Sequence, residues 1–262
     1  PMIHRISLRD GNASLPMRLA VELNHRLHLN KVLTAVNIDN NTQYVLTFAD
    51  GETVTCNKLI LAIPCTVFKN IQIDPRVIGK HRLMQIQGIP YGTTAKVLLP
   101  IKQQSPSGHW VSTAKMGAFF NDDKQLLNLY YIQDNGQLLQ DNALYAQSLQ
   151  TVKAGFSNAI LNTLPVTPAK DINYSEYSVP VSKSWISDPF ALGSYSAFDT
   201  HQGQEIDKRI DYHGTIMKAL FAPINDRLFF VGEHATIIDE IGTMEAAVES
   251  GERIAKLLIN QP

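Results

Sequence analysis

Polar residues that could bind a ligand or transfer protons follow a short apolar run near the end of the chain. Residues 228–231 are apolar and the run stops at Gly232, as in a strand that is covered on both faces. Glu233 and His234 come next, at the carboxyl end of the predicted strand, where open α/β sheets bind their ligands. A carboxylate there can accept hydrogen bonds, and an imidazole can act as a base.

The start of the last predicted helix is a second candidate ligand site. Gly242 and Thr243 open this helix, and its apolar residues recur with helical spacing at Met244, Ala247, Val248, Ile254 and Leu258. A helix N-terminus offers unpaired N–H groups and a partial positive charge, which suit an electron-rich ligand edge. A strand, loop and helix that only pack together would give the same pattern, so both interpretations stay open.

The elements that precede this unit predict a chain of mixed helices and strands. Ser14 can cap a helix that has Pro16 in its first turn and extends to about Leu27. Strands are predicted over residues 32–38, 44–48, 58–64, 91–100 and 126–133, turns over residues 39–41 and 50–51, and a long helix over residues 142–161. Tyr130 and Tyr131 should point to opposite faces of their strand.

Composition excludes several classes of function. The 262 residues are 44% hydrophobic and 18% charged, which is typical of a globular protein. A net charge of −1 creates no field that attracts nucleic acid or an anionic membrane, and no apolar run is long enough to span a bilayer. We therefore expect neither partner. Residues 1–6 do not form a signal peptide, but a targeting signal would be lost with a missing N-terminus, so the location stays unknown and the cytoplasm is only weakly favoured.

The cysteines and histidines indicate no metal site. Cys56 and Cys65 are too few for a disulfide framework or a ligand cluster, and we expect both to be buried free thiols. The eight histidines are scattered and form no HxxxH pair. No Ser-His-Asp or Cys-His pattern for acyl transfer is evident either.

Two blocks of sequence closely resemble the C-terminal signature of the flavin-containing amine oxidase family. They are FFVGEHA at residues 229–235 and GTMEAAVESGERIAKLL at residues 242–258, and the earlier order of helix, β-meander and LILAIP at residues 59–64 also matches. The resemblance implies an α/β (mixed α+β) fold. Residues 1–73 and 216–262 would form part of a Rossmann-like FAD-binding domain, and residues 74–215 a substrate domain with a mixed sheet.

The nucleotide-binding motif of that family has no counterpart in this sequence. Family members bind FAD through an N-terminal strand–GxGxxG–helix unit, but the 15 glycines of this chain include no GxG pair. We therefore expect the C-terminal half of an FAD enzyme, as a proteolytic subunit, a truncated product or an isolated fragment. Its expected partners are an N-terminal half that carries GxGxxG and a small-molecule amine, and a homodimer is also compatible with the sequence.

The resemblance assigns three residues to the reactive end of the flavin. Lys96, in YGTTAK, occupies the place of the family's active-site lysine, which holds a water and stabilises the charge that develops on O₂. Trp185, in SWISDP, matches a tryptophan that packs near the flavin ring, and Tyr195, in LGSY, matches an aromatic residue beside the substrate amine. An exposed strand lysine and a core tryptophan are the corresponding structural interpretations.

Two departures from the monoamine oxidases refine this prediction. Ser194 stands where those enzymes carry the cysteine that bonds to flavin, so we expect non-covalent FAD. Thr243 stands where they carry a second tyrosine, so only one of the two rings that flank the amine is present here. Polyamine, histone-lysine and amino-acid oxidases also have a small residue there.

Further cofactor contacts are implied at four positions. Val32 corresponds to a backbone contact with the adenine end of FAD, and Gly232 would allow close backbone approach. Glu233 corresponds to an acidic residue near the ribityl or pyrophosphate region, and its partners should be hydroxyls or N–H groups. Met244 should offer its N–H to flavin O2 while its side chain joins the core. The family needs no side-chain base, so His234 is not expected to be catalytic.

The leading hypothesis is an FAD-dependent amine oxidase that oxidises a C–N bond to an imine, with O₂ reduced to hydrogen peroxide. A relative of the same fold that oxidises or desaturates C–C bonds is an alternative, although Lys96, Trp185 and Tyr195 together favour the amine oxidase. A non-catalytic fragment is the third hypothesis, and it predicts an exposed apolar patch. The sequence does not determine which amine is oxidised.

Overall fold

The computed structural model describes residues 11–100, 110–112, 116–121, 126–132, 150, 167–168, 181–198, 203 and 206–260. The helix predicted over residues 142–161 lies outside the described residues except for residue 150. The predicted domain boundaries at residues 73 and 215 stay predictions. Within the described ranges the chain combines helices with parallel and antiparallel sheets, so the mixed α and β fold predicted from the sequence is confirmed.

The first helix is shorter than the sequence predicted and has no buried residue. Helix α1 covers Ser14–Leu23, and a 3-10 turn covers Asn24–Arg26. It ends because Asn24 adopts a φ of 48°, outside the right-handed helical region. The prediction that Ser14 caps the helix was wrong: Ala13 is the N-cap, and the Ser14 hydroxyl donates a hydrogen bond to the Gly11 carbonyl over 2.7 Å.

A four-stranded sheet follows, built from the predicted meander. Its strands are β1 (Leu33–Ile38), β2 (Tyr44–Phe48), β3 (Thr53–Cys56) and β5 (Gln72–Ile73), in the order β3-β2-β1-β5. The first three are antiparallel and β5 runs parallel to β1. Asp39 and Gly51 lie in the two hairpin turns, as predicted: the Asp39 carboxylate accepts from the Gln43 N–H, and Gly51 has a φ of 84°.

A parallel strand pair joins the middle of the chain to its last part. Strand β4 (Leu59–Leu61) pairs with β14 (Leu228–Phe230), and all three residues of β14 are buried, as its continuous apolar run predicted. Leu228 and Phe230 contribute to the main core, whereas Phe229 packs into a second cluster with Met217, Ile254 and Leu257. The main core also receives residues from the 3-10 helix Cys65–Asn70 and from helix α2 (Lys80–Gln87).

The last helix, α3 (Met244–Asn260), buries only part of the face that was predicted: Ile254 is buried and Leu258 partly buried, but its first turns differ from the prediction. Its buried residues are Ala246, Ser250, Ile254 and Leu257, whereas the side chains of Met244 and Val248 are each 47% exposed. Polar Ser250 can be buried because its hydroxyl accepts a hydrogen bond from the Gly232 N–H and donates one to the Ala247 carbonyl. The prediction that the Met244 side chain joins the core was therefore wrong.

A six-stranded mixed sheet carries the residues of the predicted substrate domain. The strands are β6 (Ala95–Pro100), β7 (Trp110–Ser112), β8 (Met116–Asn121), β9 (Leu126–Tyr131), β10 (Thr167–Pro168) and β11 (Val181–Ser184). Their order is β10-β11-β6-β9-β8-β7, with only β10 and β11 parallel among the described strand pairs. Burial alternates along β9, so Tyr131 is buried and Tyr130 lies on the other face, as predicted.

Three smaller features complete the description. A hairpin of β12 (Arg209–Tyr212) and β13 (Thr215–Lys218) precedes β14. Cys56 and Cys65 are free thiols; Cys56 is partly exposed, and burial raises the pKa of the fully buried Cys65 thiol to about 12, so that it stays protonated. In the part of the chain that the structure describes, no helix has the length and apolar character needed to cross a membrane.

Candidate active site

Three side chains form a row across one face of the six-stranded sheet. Lys96 on β6 is directly opposite Lys183 on β11 and Tyr130 on β9. Directly opposed residues of antiparallel strands point to the same side of a sheet, so the three side chains share this face. Lys183 forms an ion pair with Asp188, whereas no described carboxylate pairs with Lys96.

The Lys96 ammonium is held by aromatic rings. Its Nζ atom lies 5.3 Å from the ring centroid of Tyr130 and 5.9 Å from that of Trp185, within the range of cation–π attraction. Trp185 follows β11 directly, and its backbone N–H donates to the carbonyl of Thr94, the residue just before β6. The sheet therefore brings Lys96 and Trp185, which are far apart in sequence, into contact through backbone pairing.

A sharp return of the chain brings Tyr195 to the same place. The Trp185 carbonyl accepts a hydrogen bond from the Gly193 N–H over 3.1 Å, and the Gly92 N–H donates to the Tyr195 carbonyl over 2.8 Å. Gly92 leaves room for the Ser194 hydroxyl, because a Cβ atom at position 92 would lie 2.9 Å from that oxygen. The Ser194 hydroxyl instead donates to the Gly92 carbonyl over 2.9 Å.

The Tyr195 side chain contacts Tyr130. A hydrogen bond between the two hydroxyl groups, together with partial burial, raises the pKa of Tyr195 to about 12. Lys96, Tyr130, Trp185 and Tyr195 thus form one group of contacting side chains, which we call the aromatic cluster. Three of its four members were predicted from the sequence as site residues.

Glu233 fastens the aromatic cluster to the last strand and helix. Its carboxylate accepts hydrogen bonds from the Ser196 N–H (2.8 Å), the Ser196 hydroxyl (2.7 Å) and the Gly242 N–H (3.1 Å). The expectation that its partners would be hydroxyl and N–H groups is confirmed. Because Ser196 follows Tyr195 and Gly242 precedes α3, one carboxylate determines how these two segments lie against β14.

The start of α3 lies against the Tyr195 ring. Gly242 has a φ of 76°, and a Cβ atom there would be only 2.9 Å from the Tyr195 ring. The Thr243 hydroxyl caps the helix by accepting from the Ala246 N–H, and it donates to the Glu240 carbonyl. No described group accepts from the N–H of Met244, so the first turn of α3 can still donate to a ligand beside Tyr195.

His234 is a buried structural residue. It is 3% exposed, and burial lowers its pKa to about 4, so the imidazole is neutral at neutral pH. Its Nδ1 atom lies 3.4 Å from the Tyr91 hydroxyl, which accepts from the Cys65 N–H. A Cβ atom at Gly232 would lie 2.4 Å from the His234 ring, so this glycine makes room for the imidazole.

Val32 lies apart from the aromatic cluster. It precedes β1 in the four-stranded sheet, its carbonyl accepts from the Ala49 N–H over 2.9 Å, and its side chain is 40% exposed. Its assignment to the adenine end of a cofactor stays a prediction. Among the described residues, no three His, Cys, Asp or Glu side chains are grouped so that they could hold a metal ion.

The sequence interpretation missed three residues of this site. Tyr130 was noted only for its face on β9, although its period-2 alternation with Leu129 and Tyr131 already separated it from the core. Gly92 and Ser196 gave no signal in the sequence, because their roles depend on contacts with Tyr195 and Glu233 that only the folded chain creates.

Comparisons with known proteins agree with the resemblance seen in the sequence. The family model described as flavin containing amine oxidoreductase matches residues 2–259. YobN of Bacillus subtilis (strain 168), provisionally named an L-amino-acid oxidase, is 24% identical over 220 residues, which are 79% of this chain and 42% of YobN. Flavin-containing amine oxidase A of Canis lupus familiaris is 22% identical over 257 residues, 95% of this chain and 46% of that protein. The chain therefore spans less than half the length of these relatives.

Proposed function

Because this chain belongs to the family of flavin-containing amine oxidoreductases, we propose that it forms the substrate-facing part of an FAD-dependent amine oxidase. The observation that carries this proposal is the aromatic cluster, in which Lys96 is held between two rings beside Tyr195 and the start of α3. When bound, the flavin supplies the two-electron oxidation of a C–N bond to an imine and the reduction of O₂ to hydrogen peroxide.

The residues around the aromatic cluster fit a flat ring that has electron-rich oxygen and nitrogen atoms at its edge. Aromatic faces, one cation and the N-terminus of α3 converge there, and the N–H of Met244 has no described acceptor. Glu233 uses three of its roughly four acceptor positions on Ser196 and Gly242, which leaves about one for a ligand hydroxyl. Ser194 offers a hydroxyl that already donates a hydrogen bond to the Gly92 carbonyl, and this favours non-covalent binding of FAD.

Lys96 would stabilise the negative charge that develops on oxygen during its reduction. A fixed cation acts strongly in such a site because it needs no reorganisation when the charge appears. Lys96 is exposed in this chain, and the rings of Tyr130 and Trp185 hold its ammonium in place. The same positive charge disfavours a protonated amine nearby, so Lys96 would also favour the neutral amine that can lose hydride.

Tyr195 would orient the amine with its ring. Its hydroxyl is hydrogen-bonded to that of Tyr130, and its backbone carbonyl accepts from the Gly92 N–H, so the ring has a defined orientation. Thr243 carries no ring, and its hydroxyl caps α3. We propose an amine or amino acid as the substrate, in line with the names of YobN and the canine amine oxidase.

We further propose that a polypeptide segment carrying the GxGxxG unit covers α1 and the open edge of the β4–β14 pair. Five apolar side chains on or just after α1 are exposed by 47% or more: Met17, Leu19, Val21, Leu23 and Leu29. Parallel sheets are normally covered and extended on both sides, but β4 and β14 form a two-stranded sheet in which Ile60 is 45% exposed.

The proposed oxidase can be tested on protein isolated with all of its native polypeptide. A flavin absorption band together with an intact mass would report the cofactor and any second polypeptide, and peroxide formation with amines and amino acids would report the activity. A preparation without flavin and without peroxide would overturn the proposal. A stable dimer of this chain alone would overturn the proposed GxGxxG partner, and turnover of large apolar substrates without amine oxidation would indicate the C–C oxidising alternative.

Lys96→Met tests the proposed role of the cation. We expect the reoxidation of the enzyme by O₂ to slow by about a hundredfold, as when one charge-stabilising group is removed from an active site. Lys183→Met is the matched control, because Lys183 is on the same sheet face but its ammonium pairs with Asp188. Equal reoxidation rates in the two variants, measured by stopped-flow absorbance, would refute the assignment of Lys96.

A further inference from the structure

We propose that Tyr130 is a positioning residue of this site, which fixes the Lys96 ammonium through its ring and the Tyr195 ring through its hydroxyl. This inference rests on the proposed oxidase function and adds to it a residue that connects the two reactive elements. Lys96 was assigned to oxygen and Tyr195 to the amine, and Tyr130 is the side chain that contacts both.

The register of the sheet places Tyr130 for this role. Tyr130 is the direct cross-strand partner of Lys96, and the Nζ atom lies 5.3 Å from its ring centroid. On its other side Tyr130 is directly opposite Gly117 on β8, where an added Cβ atom would meet no described atom within 4 Å. The ring therefore stands between a cation and open space on the sheet surface.

A purely structural role is already served by the other face of β9. Leu127, Leu129 and Tyr131 are fully buried and form its core side, whereas Tyr130 is only partly buried. The Tyr130 ring is thus not needed to fill the core. Its two polar contacts, with an ammonium and a hydroxyl, both lead into the aromatic cluster.

Two substitutions separate the two contacts. Tyr130→Phe keeps the ring beside Lys96 and removes only the hydroxyl that bonds to Tyr195. Tyr130→Leu removes both contacts. Tyr131→Phe is the matched control, because it deletes the hydroxyl of the adjacent tyrosine, which is buried on the opposite face of the same strand.

The hydroxyl contact can be measured on this chain without cofactor or substrate. At about pH 11, a Tyr195 with a pKa of about 12 is roughly one-tenth ionised, and this fraction rises as the pKa of Tyr195 falls. Carbon-13 NMR of Cζ-labelled tyrosine, assigned with Tyr195→Phe, would report this. We expect Tyr130→Phe to increase the ionised fraction of Tyr195 at this pH, with part of the pKa shift kept by burial, and Tyr131→Phe to leave the fraction unchanged; an unchanged Tyr195 titration in Tyr130→Phe would overturn the inference.

The second readout is the kinetics of the flavin-loaded protein. We expect Tyr130→Phe to lower kcat/KM for the amine by about tenfold or less, the usual scale of one hydrogen bond, with oxygen reactivity unchanged. Tyr130→Leu should lower the rate constants for both amine and O₂. Equal kinetics in Tyr130→Leu and Tyr131→Phe would overturn the inference. If no variant and no wild-type protein oxidised amines, the proposed function would fail while the NMR result could still hold.

Discussion

Replacement of Glu233 by glutamine should lower the free energy of unfolding much more than the same replacement of an exposed carboxylate such as Glu240. The carboxylate accepts three hydrogen bonds, two from N–H groups and one from a hydroxyl. The amide of Gln keeps one acceptor oxygen, and its NH₂ group faces N–H donors of Ser196 or Gly242. The Ser196 hydroxyl can rotate to accept from this NH₂, so about one of the three contacts is lost outright and the remaining ones lose their charge.

The magnitude follows from these contacts. A hydrogen bond to a charged group contributes about 1.5–3 kcal/mol, and a buried donor left without a partner costs about 1–3 kcal/mol. We therefore expect Glu233→Gln to lower the free energy of unfolding by about 2–4 kcal/mol. For a chain of this size that corresponds to a fall in Tm of roughly 5–15 °C.

Urea unfolding and thermal melts of this chain would measure the effect. Glu240→Gln is the control, because it removes the same charge from the exposed loop between Glu233 and α3. A surface substitution of that kind should change the free energy of unfolding by no more than about 0.5 kcal/mol. If Glu233→Gln and Glu240→Gln were equally stable, Glu233 would not fasten Ser196 and Gly242 together, and the reasoning would be refuted.

Two further predictions concern the surroundings of the aromatic cluster. The folded-state pKa of His234 is lowered to about 4 by burial, so its contribution to stability is present above the unfolded value of about 6.5 and is lost as pH falls towards 4. The free energy of unfolding, measured with urea, should therefore fall by up to about 3 kcal/mol more in the wild type than in His234→Gln between about pH 7 and pH 4. Parallel plots of the free energy of unfolding against pH for the two proteins would contradict this. Gly242→Ala should cost about 1–3 kcal/mol more than Gly214→Ala, because both glycines have a φ near 77° but only Gly242 contacts the Tyr195 ring. Equal thermal melts of the two alanine variants would show that the ring moves aside freely.

The exposed apolar residues of α1 bear on the function of the chain in two ways. The hypothesis of a non-catalytic fragment predicted an exposed apolar patch. Met17, Val21 and Leu29 are each at least 67% exposed. The same surface is what an oxidase with a second polypeptide segment requires. Flavin content and peroxide formation in native preparations discriminate between the two hypotheses, whereas the patch alone does not.

Much of the fold was determined by local sequence pattern. The apolar run at residues 228–231 predicted a strand buried on both faces, and Asp39 and Gly51 marked hairpin turns that the structure contains. The alternation along β9 separated Tyr130 from Tyr131. These features follow from short-range geometry, since the period of a strand and the φ preferences of turn residues depend on a few neighbouring positions.

The phase of α3 was decided by tertiary contacts, and the end of α1 by the backbone conformation of one residue. The helical spacing around Met244 and Val248 was real, but Ser250 is buried because the Gly232 N–H donates to its hydroxyl. No pattern in the helix itself distinguishes a serine that faces solvent from one that meets the end of a strand. The extent of α1 likewise depended on the backbone conformation of Asn24.

The candidate site shows the same division. The sequence by itself determined the identity of Lys96, Trp185, Tyr195 and Glu233 as residues worth testing, through their resemblance to a family pattern. Only the tertiary structure decided that Tyr130 connects two of them and that Glu233 joins Ser196 to Gly242. The physical reason is that hydrogen bonds and cation–π contacts between distant segments depend on sheet register and chain return, which no local run of residues specifies.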